Sequence, residues 1–159
     1  MFKISSQKTG FTLIEMLVTL AILAILAGAI LPLTKVAIKR EKEIHLRRNL
    51  RLIREAIDAY KRLADEKKIK VEEDTEGYPP DLETLVKGIE VTGNGKKSAK
   101  RIVKLLRRIP RDPMMDSFDW GLRSYQDDVD SDFWGGENVY DVYTKHPGTG
   151  LDGMKYKDW

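Results

Sequence analysis

The sequence predicts an α+β fold in which a long amino-terminal helix, transmembrane at first and amphipathic further on, packs on a small antiparallel β-sheet. Three observations carry that prediction. Phe11 to Leu31 form an apolar run interrupted only by Thr12, Glu15, Thr19 and Gly28. Leu46, Leu50, Ile53, Ile57, Tyr60 and Ala64 then recur at alternating steps of four and three, the spacing of one helix face. Beyond Ile109, glycine and proline cut the chain into short segments with valine and tyrosine, which suit strands.

The chain of 159 residues is long enough for one domain and an appendage, and it contains no cysteine. Disulfides, thiolate metal sites and cysteine nucleophiles are therefore excluded. The formal charge of +3 is small, but the charges are segregated. Lys96, Lys97, Lys100, Arg101, Lys104, Arg107 and Arg108 form a basic run without an acid, whereas acidic residues outnumber basic ones from Asp112 to Asp158. A nucleic-acid protein keeps one basic face across a domain. Here the two signs look like complementary patches that could meet within or between copies, and no nucleic acid is expected as a partner.

At about 1.5 Å per residue, a helix over the apolar run is roughly as long as a bilayer core is thick. Lys3 and Lys8 precede it without an acid, which favours a cytoplasmic amino terminus and a single pass with the rest of the chain outside. A secretory signal would be cut after its apolar run, near Ala27 to Ala29. Against that reading, the helical pattern continues across Pro32 into the charged amphipathic stretch.

Pro32 removes a backbone donor inside that pattern, so a kink or local opening is expected between Gly28 and Pro32. The stripe from Leu46 to Ala64 calls for a sheet or other helices against it, with Arg47, Arg48, Arg51, Arg54, Lys61 and Arg62 on the remaining surface. Asp74 to Pro80 breaks the pattern, and Asp81 caps a short helix that buries Leu82, Leu85 and Val86. The segment GNGKKS reads as a turn. AKRIVKLLRRI reads as a second short helix with Ile102, Leu105, Leu106 and Ile109 inward. Three or so antiparallel strands follow, one of them within Asn138 to Thr144.

Gly10 followed by Phe11, Thr12, Leu13, Ile14 and Glu15, behind a short basic leader and ahead of a full span, resembles the processing site of type IV pilins and of the pseudopilins of type II secretion. That resemblance implies cleavage after Gly10 by a prepilin peptidase and methylation of Phe11. It implies a leader over residues 1–10, a transmembrane assembly helix over 11–31, its amphipathic continuation over 32–68 and an extracytoplasmic head over 69–159. Phe11, Glu15 and Pro32 become the assembly residues, with Glu15 pairing with the amino group of Phe11 in a neighbouring subunit. A buried anion is tolerable when a cation meets it, and either partner alone is costly. The alternative for Glu15 is a carboxyl near the interfacial end of the span without a partner.

The other end resembles the major pseudopilin. IPRDP followed by WG and SY is similar to its Pro-x-Asp-Pro-Trp-Gly-x-x-Tyr signature, with MMDSFD standing between Pro113 and Trp120. YDVYT, LDG and Trp159 are similar to its carboxy-terminal loop. The resemblance implies calcium there, with Asp152 and Asp158 as ligands and Thr144 and Leu151 as carbonyl donors; the usual pair of later aspartates is reduced to Lys157 and Asp158. It further implies a homo-oligomeric filament at the bacterial inner membrane, its head in the periplasm, with an assembly platform and minor pseudopilins as partners.

No enzyme is expected, since His45 and His146 lack metal spacing and no nucleophile or phosphate-loop motif is present. Asp127, Asp128, Asp130, Asp132 and Glu137 alternate like a calcium loop, but Phe133 and Val139 stand where its Gly and Glu belong, which favours a solvated acidic turn. The function expected is that of a filament subunit, first of all the major pseudopilin of a type II secretion system. The alternatives are a pilin of an adhesive or motility pilus, and a single-pass membrane protein with a soluble binding domain.

Overall fold

The structure, a computed structural model, describes residues 10–92 and 100–159. The fold is α+β. Its elements are helix α1 (Leu13–Asp65), a 3₁₀ turn (Glu73–Thr75), helix α2 (Leu82–Lys87), strands β1 (Ile89–Thr92), β2 (Lys100–Val103), β3 (Gly121–Arg123) and β4 (Asp141–Tyr143), and a closing 3₁₀ turn (Tyr156–Asp158). The chain divides into two compact units, residues 1–39 and Arg40–Trp159.

In the first unit the described residues are helical from Leu13, and no part of the apolar window is buried. Phe11, Leu13 and Ile25 are 76%, 81% and 74% exposed, which excludes the core helix of a soluble protein. The hydroxyls of Thr19 and Thr34 donate to the carbonyls of Met16 and Ile30. Both polar side chains are thus satisfied by their own helix, as hydrocarbon surroundings require. α1 runs through Pro32, so the proline does not end the helix.

In the second unit the predicted stripe is the core. Leu46, Leu50, Ile53, Ile57 and Tyr60 are buried, and Ala64 packs at the margin. They meet Leu82, Leu85, Ile89, Val91, Leu106 and the buried residues of the carboxy-terminal segments. α1 ends at a reciprocal pair of bonds, Lys67 N–H to Ala64 O and Lys68 N–H to Leu63 O, with Lys67 at φ 54°. That is a Schellman closure with lysine where glycine is usual.

α2 forms as its capping residue dictates, with Asp81 Oδ1 accepting from the Thr84 N–H at 2.6 Å. Leu82 and Leu85 are buried and Val86 is partly so. Gly88, at φ +103°, turns the chain into β1, and a Cβ there would lie 2.6 Å from Ile102 Cγ2.

The strands differ from expectation in two ways. Instead of one sheet of three, the described residues form two separate antiparallel pairs, β1 with β2 and β3 with β4. Pairs this small are marginal alone, and the α1 stripe supplies the missing face. The expected second helix over AKRIVKLLRRI is absent: Lys100–Val103 form β2, and Ile102 is exposed rather than inward. A helix would stack like charges at i, i+3 and i+4 through Lys100, Arg101, Lys104, Arg107 and Arg108. Pairing with β1 avoids that. Leu105 and Leu106 then donate to the Leu85 carbonyl, and Leu106 is buried. Of GNGKKS, every residue lies outside the described residues.

In β3, Gly121 faces Tyr143 across the pair, and any Cβ at Gly121 would run into that ring. Its neighbour Trp120 is buried and donates to the Pro110 carbonyl at 2.9 Å.

Two substitutions test this account in denaturant unfolding of the full chain in detergent. Ile53→Ala, in the middle of the buried stripe, should lower stability by about 2–5 kcal/mol. Lys67→Gly should raise it by about 1 kcal/mol, because glycine adopts the left-handed conformation without strain. A stabilised Ile53→Ala or a destabilised Lys67→Gly would refute the corresponding statement.

Candidate functional site

The amino-terminal candidates lie together at the start of α1. Gly10 and Phe11 precede the helix, both exposed, and Thr12 is its cap: Thr12 Oγ1 accepts from the Glu15 N–H at 3.3 Å. Thr12-Leu13-Ile14-Glu15 is thus the sequence of a capping box, with the threonine half formed. The Glu15 side chain is exposed. Its location at the third helical position also sets a carboxylate beside the positive end of the helix dipole. Pro32 is exposed within the same helix.

The carboxy-terminal candidates are held by a different set of contacts, three of them from α1. Glu43 is 8% exposed, and its Oε1 accepts from the Tyr156 hydroxyl at 2.8 Å and the Leu151 N–H at 2.9 Å. One turn on, Arg47 Nη2 donates to Asp152 Oδ2 at 2.6 Å, and its guanidinium lies 4.0 Å from the centre of the Trp159 ring. Two turns further, Arg54 donates to both carboxylate oxygens of Asp141, to the Val142 carbonyl and to the main-chain oxygen of Trp159. Residues 43, 47 and 54 share one helix face, so a single stripe of α1 anchors the last eighteen or so residues of the chain. Burial first, and the bond to Glu43 second, push the Tyr156 hydroxyl well above its ordinary pKa.

Thr144 is fully buried, and its hydroxyl donates to Asp112 Oδ2. Asp112 itself is buried, and its other oxygen accepts from the Met114 N–H at 2.7 Å. The Asp of IPRDP thereby ties that loop to the end of β4. Asp158 sits in the closing 3₁₀ turn.

These positions do not fit a calcium ion. Calcium needs six or more oxygens converging from loops. One oxygen of Asp152 is taken by Arg47 and the other by the Met154 N–H, and among the described residues no group of three acidic or histidine side chains could hold a metal. A guanidinium already stands against the carboxylate that the ion would bind. The acidic turn does not gather either: Asp127 caps the Ser124 and Gly135 N–H groups, and Asp132 pairs with Lys157. His146 Nδ1 accepts from the Gly148 N–H and His45 lies 4.0 Å from Glu41, so the histidines share no site.

Glu43, Arg47 and Arg54 are the anchoring residues that the sequence pattern does not single out; the two arginines read there as remaining helix surface. The available signal was a carboxylate at residue 43 three positions before a buried leucine, on the core side of the helix.

Residues 5–31 match the family model described as the prokaryotic N-terminal methylation motif. No curated protein and no solved structure is significantly similar to the chain. The motif supports a type IV pilin-like chain, and implies processing by a prepilin peptidase and pilus assembly in general. Together with the apolar helix it fits a membrane-anchored protein with a soluble head.

Removing Glu43 leaves a buried hydroxyl and a backbone N–H without their acceptor, so Glu43→Ala should destabilise the chain by about 1–3 kcal/mol. Arg47→Ala should lose about 1 kcal/mol, since that pair is half exposed. Neither excess calcium nor chelator should move the thermal transition of the unmodified chain; a calcium-dependent rise would restore the ion to this loop.

A pH series reads the phenol separately. Because the folded pKa of Tyr156 is raised, the stability it contributes is complete below its unfolded value of about 10 and declines as pH rises above it. Tyr156→Phe should flatten that alkaline decline. An unchanged slope would mean that the hydroxyl is not protected as described.

Proposed function

We propose that this chain is a structural, non-enzymatic subunit of a type IV pilus-like filament, and within that class the major pseudopilin of a type II secretion system. The observation that carries the reading is the continuity of α1. The apolar residues behind the methylation motif and the stripe that forms the core of the head belong to one helix, Leu13–Asp65. A signal-peptide cut after Ala29 would fall inside it. Cleavage after Gly10 leaves the whole helix with the head, and an exposed apolar helix then has two environments available: the bilayer before assembly and neighbouring copies of itself afterwards.

The finer assignment rests on the carboxy-terminal part of the chain. The IPRDP, WG and YDVYT segments make one connected structure through Asp112–Thr144, Trp120–Pro110 and the approach of Gly121 to Tyr143. In this reading the head lies on the periplasmic side of the bacterial inner membrane, and an assembly platform and minor pseudopilins are the partners that extract and cap the subunits.

Glu15 is assigned to pairing with the amino group of Phe11 on an adjacent subunit. The capping box offers a competing role for the same carboxyl, and two substitutions separate them. Glu15→Gln keeps a side chain that completes the box but removes the charge. Glu15→Val removes both and takes a charge out of hydrocarbon, so it should insert at least as well.

Both variants should be abundant and membrane-bound yet absent from filaments, as seen by imaging of sheared surface fractions. Normal filaments from Glu15→Gln would assign the residue to capping alone. Intact mass should show a methylated chain beginning at Phe11. Gly10→Trp, at an exposed position where an added Cβ meets nothing within 4 Å, should retain the leader without disturbing the fold. A mature chain beginning after Ala29 would end the filament reading.

A further inference from the structure

We propose that the head carries a head-to-tail interface between copies of this chain: a basic groove on one copy receives the acidic loop between β3 and β4 of the next. The proposal rests on the filament reading and assigns its contact between heads.

The groove lies between the middle of the core helix and the segment after β2. It encloses about 930 Å³, and Arg48, Arg107, Arg108 and Arg111 line it together with Leu52 and Phe118. No acidic side chain lines it. Arg111 is committed to Asp116, at 3.0 Å, but Arg48, Arg107 and Arg108 are exposed and have no acidic partner among the described residues. Like charges gathered this closely raise the energy of the isolated head and fall in energy when an anionic surface arrives. Leu52 and Phe118 are 45% and 63% exposed, so the groove offers apolar contact between its charges.

The loop has the complementary composition. Asp128 and Asp130 are exposed, make no ion pair among the described residues, and flank Val129, which is 84% exposed. Phe133 follows at 78% exposure. A large aromatic side chain left in water on an acidic loop gains by entering an apolar slot rimmed with arginine, the composition of an interface centre. The loop does not line the groove of its own copy. Two different patches on one chain that fit each other make a heterologous contact, which propagates as an open helical array wherever its rotation does not close into a ring.

The chain has no cysteine, so introduced thiols report contacts without background. Full-length chain carrying Arg107→Cys is produced in its host membrane with full-length chain carrying Asp130→Cys, and chain carrying Ile22→Cys alone, produced separately, reports helix-mediated assembly independently. On oxidation the mixed copies should give disulfide dimers and neither variant alone should. Arg48→Glu with Arg108→Glu in the groove copy should slow that crosslink by about tenfold. Asp128→Lys in the loop copy should restore much of it, and added salt should slow it.

Crosslinking through Ile22→Cys without any groove-to-loop dimer would leave the filament reading standing and overturn this interface. Absence of both would overturn both. A groove-to-loop crosslink indifferent to charge reversal would also overturn the proposal. So would a silent groove-to-loop pair with vesicles of anionic lipid lost on the arginine substitutions, which would make the groove a membrane surface.

Discussion

Everything in the head depends on one buried stripe. With no disulfide and, among the described residues, only two-stranded sheets, a single described element is long enough to organise a core, and that is α1 from Leu46 to Tyr60. Each strand pair would be marginal in water, so their stability is borrowed from the helix they cover. The same helix face then carries Glu43, Arg47 and Arg54 outward to hold the end of the chain. Core and anchor are thus one continuous surface, and a change of helix register there would disturb both.

Towards the amino terminus the constraint is reversed. The described apolar residues from Phe11 to Leu33 are buried by nothing in their own chain. Their large exposed surface is stable only in lipid or against other apolar helices, and a carboxylate among them is costly in hydrocarbon. A carboxylate at the third helical position is comfortable in isolation through the dipole and the cap. Deeper in hydrocarbon it needs a cation.

How much of this was legible in the sequence follows from which signals are local. The apolar span, the amphipathic stripe and the Asp81 cap were readable because helix periodicity and capping are set within a few residues. The expected second helix failed because Ile102, Leu105, Leu106 and Ile109 have helical spacing by coincidence of a short strand followed by a crossing segment. Periodicity over one turn cannot separate the two. The Arg47 and Arg54 contacts and the Asp112–Thr144 bond join residues thirty to more than a hundred positions apart, and the division into two strand pairs is likewise set by packing on the helix, so no local pattern encodes them.

The carboxy-terminal loop shows what a guanidinium does differently from a metal ion at the same carboxylate. A divalent ion gathers many oxygens around a point and makes the fold depend on its free concentration. Arg47 donates to one carboxylate oxygen and stacks on Trp159, so it is supplied by the chain itself and leaves the other oxygen of Asp152 to fix the local turn. Its position on a half-exposed surface makes the pair sensitive to salt. The buried Glu43 bonds beneath it are shielded from that screening. The loop therefore has an outer contact that responds to ionic strength and an inner one that does not, and its attachment to α1 persists when the outer contact is weakened.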